Sequence, residues 1–411
     1  MPEPTAELPT PATSAGPSVV LLRRRRARPF FARHPWVFSG AIDRVEGPAG
    51  DGDEVELRSA EGQFIARGLL NRRSRIQVRL YNWNPDEPLD EAFWRRRLEQ
   101  AVRLRTQTLG LTDPRGACRL VFSEGDQISG LVVDRYADWL VVQFTSLALA
   151  QRRELFVRLL VELLKPKGIY LRTERGIGEA EGLELQDAPL WGAVPDGPVI
   201  IEEAGLRYGV DLCTGQKTGF YLDQAANRQA IVRYTAGRNV LDAFCYSGGF
   251  SLAAAVRGQA RHVLGIDGSE AAVRLAELNG RLAGVTHVEF QCADVFKRLE
   301  QLTAESRRFG LVILDPPKFA RSAKAVADAL KGYHHVNRLA VRLLEPEGVL
   351  VTCSCSGHIT RELFEQMLAG VAEDTARDIQ LLDVRGQSPD HPVAASCLET
   401  DYLKCFICRV I

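Results

Sequence analysis

Two cysteines near the end of the chain are the residues best suited to covalent chemistry. They are Cys353 and Cys355, which lie two positions apart in VLVTCSCSG at residues 349–357. Thiolate is a strong nucleophile near neutral pH, and its addition to C6 of a pyrimidine lets C5 accept a methyl group from a sulfonium. Residues two apart on a strand face the same side. Two interpretations stay open, because small thiols are also common in buried cores.

A stiff acidic loop is the second candidate for chemistry. Asp315, Pro316, Pro317 and Lys318 directly follow the apolar run LVIL. Two prolines stiffen the turn and remove backbone donors, so the loop is suited to holding a flat base beside a methyl donor. Asp315 would accept a hydrogen bond from an amino group of the base, or donate one when protonated, and Lys318 would contact phosphate. The alternative is a structural stop after a strand.

Acidic residues also mark the ends of the neighbouring apolar strands. Asp242 lies in NVLDAF, Asp267 ends VLGID, Asp294 ends VEFQCAD and Asp315 ends LVILD. In an open parallel sheet, ligands bind beyond the carboxyl ends of the strands, so these carboxylates are expected to share one edge. Any one of them could instead be a helix cap. The four together favour a ligand site.

The loop after the first of these strands favours a nucleoside cofactor. It reads CYSGGF at residues 245–250, and Asp267 follows Gly248 by 19 positions, a spacing suited to an acid that binds ribose hydroxyls. Ser247 lies beside Gly248 and is a further cofactor candidate. The loop matches neither GxGxxG nor GxxxxGKS/T, which disfavours NAD and nucleoside triphosphates. S-adenosylmethionine fits the carboxylates better, since it combines ribose, adenine and a cationic centre.

The elements that must position these residues begin after an N-terminal tail. Residues 1–18 are rich in Pro, Ala, Ser and Thr and are predicted to be disordered. Residues 19–85 carry short strand-like runs separated by Gly and Asp, which predicts a small β-barrel-like domain. Residues 86–195 combine strands with helical patterns near 89–109 and 148–164, which predicts a central α+β domain.

Residues 196–411 contain the catalytic and cofactor candidates. The runs VIIEEAG and LRYGVDL predict a hairpin, and the later apolar strands alternate with helical stretches. This alternation predicts an α/β fold, a Rossmann-like parallel sheet with helices on both faces. The last run, YLKCFICRVI, reads as a buried strand. Its Cys405 and Cys408 have CxxC spacing, but no second pair completes a zinc site, so no metal is expected.

Composition bounds the class of protein. The chain has 411 residues, 45% hydrophobic and 25% charged, as in ordinary globular proteins with more than one domain. No apolar run reaches the roughly 18 residues of a membrane span and no apolar signal follows Met1, so we expect a cytoplasmic protein with reduced cysteines. The net charge is zero, but arginine clusters at residues 23–33 and 67–79 would suit phosphate. The alternative for them is a solvated surface.

At these residues the sequence strongly resembles the bacterial ribosomal RNA large-subunit methyltransferase I family, which makes 5-methylcytosine in 23S rRNA. The likeness runs from about Arg33 to the C-terminus, and it is specific because many motifs occur in the same order. These motifs are HPWVFSGAI (34–42), GLVVDRY (130–136), TGQKTGFYLDQ (214–224), LDAFCYSGGF (241–250), LDPPKFA (314–320), SCSG (354–357), DHP (390–392) and DYLK (401–404).

The resemblance implies an N-terminal PUA domain, a central α+β domain and a Rossmann-like methyltransferase domain. It places the nucleophile at Cys355, and it makes Cys353 a departure, since the family has an aromatic or apolar residue there. It also implies that the TGFYLDQ segment closes over the adenosine, with Phe220 and Gln224 as cofactor contacts.

The expected function is therefore transfer of a methyl group from S-adenosylmethionine to C5 of a cytosine in 23S rRNA. Cys355 would bond to C6 of the base, and Asp315 would orient the base. Large-subunit rRNA is the expected partner, a homodimer is considered, and no membrane is involved. Two alternatives remain: a guanine-nitrogen methyltransferase on the same fold, which needs no cysteine, and an RNA-binding protein whose methyltransferase fold is inactive.

Overall fold

The structure is a computed structural model that describes residues 18–174, 176–215, 217–320 and 323–411. The predicted disordered tail lies outside the described residues except for Ser18, which is the first residue of a strand. In the described part of the chain, none of the helices is long and apolar enough to cross a membrane.

The N-terminal part of the chain forms a six-stranded sheet with strand order β2-β6-β5-β4-β1-β3. The sheet is mostly antiparallel, but β1 pairs in parallel with β4. A buried cluster that includes Val20, Val55 and Leu57 fills its interior. The elements are β1 (Ser18–Leu22), α1 (Arg28–Phe31), β2 (Trp36–Phe38), β3 (Ile42–Glu46), β4 (Glu54–Arg58), β5 (Phe64–Leu70) and β6 (Ile76–Asn82).

The central part forms a five-stranded sheet with order β11-β10-β9-β8-β7, packed against helices. Its first helix begins where the Asp90 side chain accepts a hydrogen bond from the Phe93 amide at 2.8 Å, which satisfies a free N–H of the first turn. The elements are α2 (Glu91–Arg103), β7 (Ala117–Phe122), β8 (Leu131–Tyr136), β9 (Trp139–Phe144), α3 (Leu147–Gln151), α4 (Arg153–Leu164), β10 (Gly168–Leu171), α5 (Ile177–Glu181) and β11 (Ala188–Gly192).

The C-terminal part forms an antiparallel hairpin followed by a seven-stranded sheet with order β16-β15-β14-β17-β18-β20-β19. The elements are β12 (Val199–Glu203), β13 (Leu206–Val210), α6 (Ala225–Ile231), β14 (Asn239–Ala243), α7 (Gly249–Leu252), β15 (His262–Asp267), α8 (Glu270–Leu282), β16 (Val288–Cys292), α9 (Val295–Ala304), β17 (Phe309–Leu314), α10 (Val326–Leu343), β18 (Leu344–Ser354), α11 (Arg361–Thr375), β19 (Ile379–Arg385) and β20 (Lys404–Val410).

The order of the parallel strands creates a switch point between β14 and β17. From β14 the chain adds β15 and β16 on one side, and then β17 and β18 on the other. Alternate residues of β14 pack on opposite faces, with Val240 in one buried cluster and Leu241 in the other. This burial on both faces explains the near-continuous apolar strands, and the predicted fold class is confirmed.

Two local predictions can be compared directly with the structure. The helix predicted near residues 148–164 is two helices, because Arg152 interrupts it between α3 and α4. The final run is a buried strand as predicted, and Cys405 and Cys408 on β20 have no exposed surface. Cys405 lies directly opposite Cys353 of β18 in the antiparallel ladder.

Candidate active site and cofactor cavity

A cavity of about 1170 Å³ lies at the carboxyl ends of the parallel strands, around the switch point. This volume exceeds that of most small-molecule pockets, so it leaves room for a cofactor and a base together. Most of the predicted site residues line it: Phe220, Gln224, Ser247, Asp267, Asp294, Asp315, Pro316, Pro317, Lys318 and Cys355. Asp242 and Gly248 do not line it.

The loop that follows β14 has an unusual backbone. Phe244 and Tyr246 have left-handed conformations, with φ of 67° and 47°, and so does Gly248 at 81°. A methyl group at Gly248 would lie 2.9 Å from Cζ of Phe290, so only glycine fits there. Left-handed side-chain-bearing residues carry strain and cluster at functional sites. Gly248 therefore shapes the loop without lining the cavity.

Asp267 and Asp294 both face the cavity, but their surroundings differ. Asp267 accepts hydrogen bonds from the amides of Tyr246 at 2.9 Å and Ser269 at 2.8 Å, which hold its carboxylate in place. Asp294 is exposed and caps α9 by accepting from the Lys297 amide at 3.0 Å. Asp267 is therefore a hydrogen-bond acceptor that is fixed in place at the cavity. Asp294 instead has the alternative role of a helix cap.

Asp242 lies beneath the cavity rather than on its wall. It is fully buried on β14, and one carboxylate oxygen accepts from Ser251 Oγ at 2.6 Å. The other oxygen has no hydrogen-bond partner among the described residues. Burial raises the pKa of Asp242 to about 7, with smaller contributions from Asp315 and Asp267. The strands that carry the four acids do end at one edge of the sheet. Asp267, Asp294 and Asp315 line the cavity there, but Asp242 has no direct access to a ligand.

Phe220 and Gln224 lie in the segment between β13 and α6. The Arg228 guanidinium stacks over the Phe220 ring at 4.5 Å, and it is itself paired with Glu203 of β12 through two contacts of 2.7 and 2.6 Å. Gln224 accepts from Asn227 at 2.6 Å and also hydrogen-bonds to Asp315. The hairpin thus anchors this segment against the cavity.

The DPPK loop brings an acid and a cation to the cavity. Burial and the nearby Asp223 raise the pKa of Asp315 to about 6, against the opposing effect of Lys217. Pro316 is buried, whereas Pro317 and Lys318 are exposed. Asp315 can therefore be protonated or ionised close to neutral pH, and this matches the two hydrogen-bonding roles that the sequence left open.

The two cysteines of the SCSG region differ in their access to the cavity. Cys353 is fully buried among apolar residues of β18 and β20. The strand ends at Ser354, so strand alternation does not extend to Cys355, which is partly exposed and lines the cavity. Burial raises the pKa of the Cys355 thiol, and Asp315 and Asp223 raise it further, while Lys217 and Lys318 lower it.

Several cavity residues were not singled out from the sequence. Asp223 is 4% exposed, and its Oδ2 accepts from Tyr402 at 2.6 Å and from Lys217 at 3.3 Å. Its other oxygen, Oδ1, has no partner among the described residues. The sequence motifs do contain these residues, because Lys217 and Asp223 lie in TGQKTGFYLDQ and Tyr402 lies in DYLK. What the motifs did not reveal is that these two segments meet.

One group of side chains has the types that bind metals. The ligand atoms of His34, Cys397 and Glu399 lie within 4.8 Å of one another. However, His34 Nδ1 accepts from the Trp36 amide at 3.2 Å, so in the neutral ring Nε2 carries the proton and faces Glu399. The Cys397 thiol donates to Glu399 Oε2 at 3.5 Å, and burial raises the pKa of this thiol. The geometry favours a hydrogen-bonded cluster over a metal centre.

The two arginine clusters have different environments. In the first, Arg23 to Arg26, Arg28 and Arg33 are exposed, and Arg33 lies over the Trp83 ring at 5.8 Å. In the second, Arg79 is buried and pairs with Glu124 and Glu181. Arg67 of that cluster also pairs, with two glutamates of β4. The first cluster therefore offers exposed guanidinium groups, although Arg23 Nε donates to the Ile42 carbonyl at 3.0 Å, while the second cluster is partly structural.

The fold and this site define a class of protein. A family model for S-adenosylmethionine-dependent methyltransferases matches residues 191–397, and a model for PUA-like domains matches residues 20–83. The chain is thus an S-adenosylmethionine-dependent methyltransferase with an N-terminal PUA-like domain.

Full-length relatives narrow the class to a family. Ribosomal RNA large subunit methyltransferase I of Erwinia tasmaniensis is 39% identical over 394 residues, which cover 95% of this chain and 99% of that protein. The enzyme of the same name from Aeromonas salmonicida is 39% identical and covers 95% and 98%. The chain belongs to the ribosomal RNA large subunit methyltransferase I family.

Solved structures share the complete architecture. The crystal structure of SMU.776 complexed with SAH superposes with a TM-score of 0.82 at 20% identity, over 95% of this chain and 99% of that one. A methyltransferase structure from Streptococcus mutans gives 0.81 with the same coverage. At this identity the likeness concerns the fold.

The residues of the cavity fit S-adenosylmethionine. Ser247 Oγ is buried in the cavity wall without a partner among the described residues, so it is available to a ligand. Asp267 presents a fixed carboxylate, and an acid in this position suits ribose hydroxyls. The aromatic ring of Phe220 and the acidic wall suit an adenine and a cationic sulfur. When bound, S-adenosylmethionine supplies an electrophilic methyl group on that sulfur.

Proposed function

We propose that this protein methylates C5 of a cytosine in large-subunit rRNA, with Cys355 as nucleophile. The observation that carries the proposal is that Cys355 and Asp315 line the same cavity as the cofactor candidates. A thiol is needed for C5 methylation of a pyrimidine, because C5 becomes nucleophilic only after addition at C6. The substrate class follows from the family, whose members are named for large-subunit rRNA.

In this mechanism the Cys355 thiolate forms a bond to C6 of the cytosine, and Asp315 donates its proton to N3. C5 would then take the methyl group that bound S-adenosylmethionine supplies, and S-adenosylhomocysteine would be the leaving group. Loss of the C5 proton to solvent, return of the N3 proton to Asp315, and cleavage of the bond between sulfur and C6 restore the ring and the thiolate. The raised pKa of Asp315, about 6, supports its use as the acid, because an ordinary aspartate is almost fully ionised at neutral pH.

Gln224 and the DPPK loop have supporting roles in this proposal. Gln224 orients the Asp315 carboxyl, and Phe220 with Asp267 and Ser247 holds the cofactor. Pro316 and Pro317 limit the space for the base, which must leave its stack to enter such a cavity. Lys318 and the exposed arginines at residues 23–33 contact phosphate.

The test combines nucleoside analysis with two cysteine variants. Mass spectrometry of large-subunit rRNA treated with the parent protein should detect 5-methylcytosine, and Cys355→Ser should abolish it while calorimetry still detects cofactor binding. Cys353→Ser is the matched control and should keep activity, since this thiol is packed in the core. A methylguanosine product would instead favour the guanine-nitrogen reaction, and absence of cofactor binding would favour an inactive RNA-binding protein.

A trapping experiment tests the covalent step itself. RNA carrying 5-fluorocytosine at the target cannot lose a proton from C5 after methylation, so the bond to sulfur should persist. Peptide mapping should find the RNA adduct on Cys355. An adduct on Cys353, or full methylation by Cys355→Ser, would refute the assignment.

A further inference from the structure

Burial and two nearby aspartates, Asp315 and Asp223, oppose formation of a thiolate at Cys355. The charged and titratable groups around this thiol come from the loop before α6, the DPPK loop, α10, the segment before β20 and the first residue of β20. They are Lys217, Tyr221, Asp223, Asp315, Lys318, Tyr333, Tyr402 and Lys404. A nucleophile in this setting needs a cation that stays beside it.

Lys217 is the cation whose position best meets that need. Its Nζ lies 3.3 Å from Asp223 Oδ2 and 4.1 Å from the centre of the Tyr221 ring, and its side chain lines the cavity together with Cys355 and Asp315. These contacts hold the ammonium group at the cavity, although 42% of the side chain is exposed.

The other two lysines are less suited. Lys318 is exposed. Lys404 is buried behind the cavity wall, where its Nζ donates to the backbone carbonyls of Ser356 at 2.7 Å and Tyr402 at 2.8 Å. Burial lowers the pKa of Lys404 to about 8, so this group loses its charge over the upper part of the pH range in which a thiol ionises. Among these lysines, Lys217 also lowers the pKa of Cys355 the most.

The backbone of Lys217 is held by the central domain. Lys217 has a left-handed conformation with φ of 50°. The next residue, Thr218, donates to Asp134 Oδ2 at 2.6 Å, and Asp134 is fixed by Arg119 through two contacts of 2.8 Å. Asp134 has no exposed surface. A left-handed residue next to a buried ionic anchor indicates that the fold fixes the backbone from which the Lys217 side chain extends.

We propose that Lys217 is a positioning residue that holds the Cys355 thiolate ready for attack, and that the buried Asp134–Thr218 contact sets its place. The inference rests on the proposed function, in which Cys355 is the nucleophile. It also assigns the central domain a part in the chemistry, because Asp134 lies on β8 of that domain.

The test measures thiol reactivity, which requires neither RNA nor methyl transfer. Iodoacetamide is added to the full-length protein across pH 6 to 10, and alkylation of the Cys355 peptide is followed by mass spectrometry. Lys217→Met should raise the pH midpoint by about one unit and slow alkylation at pH 7.5 about tenfold, since only the thiolate reacts. Lys217→Arg should restore most of the rate, because the charge is kept.

Two controls keep the outcome clear. Lys331→Met removes a lysine that is 79% exposed on α10 and should leave the alkylation profile unchanged. The Lys217 side chain is 42% exposed, so folding should survive its loss, and the thermal midpoint checks this. If the Met variant does not fold, Lys217→Gln takes its place.

The inference would be overturned if Cys355 were alkylated as fast in Lys217→Met or Lys217→Gln as in the parent. It would also be overturned if Cys355 were alkylated as slowly in Lys217→Arg as in Lys217→Met. A different result is a shifted alkylation profile in Lys217→Met together with a parent protein that makes no 5-methylcytosine. That result would support the role of Lys217 beside Cys355 and refute the proposed function.

Discussion

Replacement of Asp315 by Asn should change the shape of the pH dependence of methyl transfer, beyond any change in rate. The pKa of Asp315 is raised to about 6, and the pKa of Cys355 is raised above that of an ordinary thiol. The proposed reaction requires Asp315 protonated and Cys355 ionised. The value of kcat/KM reports the ionisation of both groups in the free enzyme.

The magnitude follows from these two groups. Above about pH 6 the protonated fraction of Asp315 falls about tenfold per pH unit, while the thiolate fraction of Cys355 rises about tenfold, so kcat/KM of the parent should stay level from about pH 6.5 to 8.5. In Asp315→Asn only the thiol titrates, so kcat/KM should rise about 100-fold over the same interval. An ionised Asp315 that merely accepts a hydrogen bond would make the parent rise to the same extent.

The assay is transfer of radiolabelled methyl groups to an rRNA transcript at limiting RNA concentration. Asp294→Asn is the matched control, because Asp294 faces the cavity but also caps α9. That variant should lower kcat/KM and keep the level profile. A steep rise in the parent would refute proton donation by Asp315, and a level profile in Asp315→Asn would refute any role of its ionisation.

Two further predictions concern the cofactor loop and the buried acid beneath it. Gly248→Ala should weaken S-adenosylmethionine binding about tenfold in calorimetry, because the left-handed backbone costs about 1–2 kcal/mol for Ala and the new methyl group crowds Phe290. Gly284 also has a left-handed backbone, but open space surrounds it. Gly284→Ala should therefore lose similar stability but keep its affinity for S-adenosylmethionine, and equal affinities in both variants would contradict this account. For Asp242, the pKa of about 7 in the folded state exceeds the unfolded value near 3.9. The contribution of its bound proton to the free energy of unfolding is therefore complete below about pH 4 and is lost as pH rises through 7. Asp242→Asn should therefore gain up to about 4 kcal/mol of unfolding free energy relative to the parent between pH 4 and 8 in urea titrations, and a pH-independent difference would exclude a raised pKa.

The apolar parallel strands and the position of two of the acids were predictable from the sequence for a physical reason. A strand buried on both faces must be apolar almost throughout, and the first polar residue after it lies at the edge of the sheet. Asp267 and Asp315 follow this pattern, and both line the cavity. Asp242 does not, because it lies within β14, where only neighbouring elements decide whether a side chain reaches the surface.

The charge pattern shows a similar limit. Arginines at residues 67–79 read as one basic cluster, yet Arg79 is neutralised by Glu124 and Glu181 from the central domain. Those partners lie 45 and 102 positions away in the chain. Pairing across such distances leaves no periodic trace in the sequence.

The sequence by itself determined the N-terminal β domain, the parallel sheet, and the residues with catalytic potential, because these depend on local periodicity and on side-chain chemistry. Only the tertiary structure decided which thiol reaches the cavity, and that Lys217 joins Lys318 on its wall. Cys353 and Cys355 are equivalent in type, and Asp223 connects Lys217 with Tyr402 from a distant segment. Such choices depend on where a strand ends and on contacts between distant segments, and the packed core sets both.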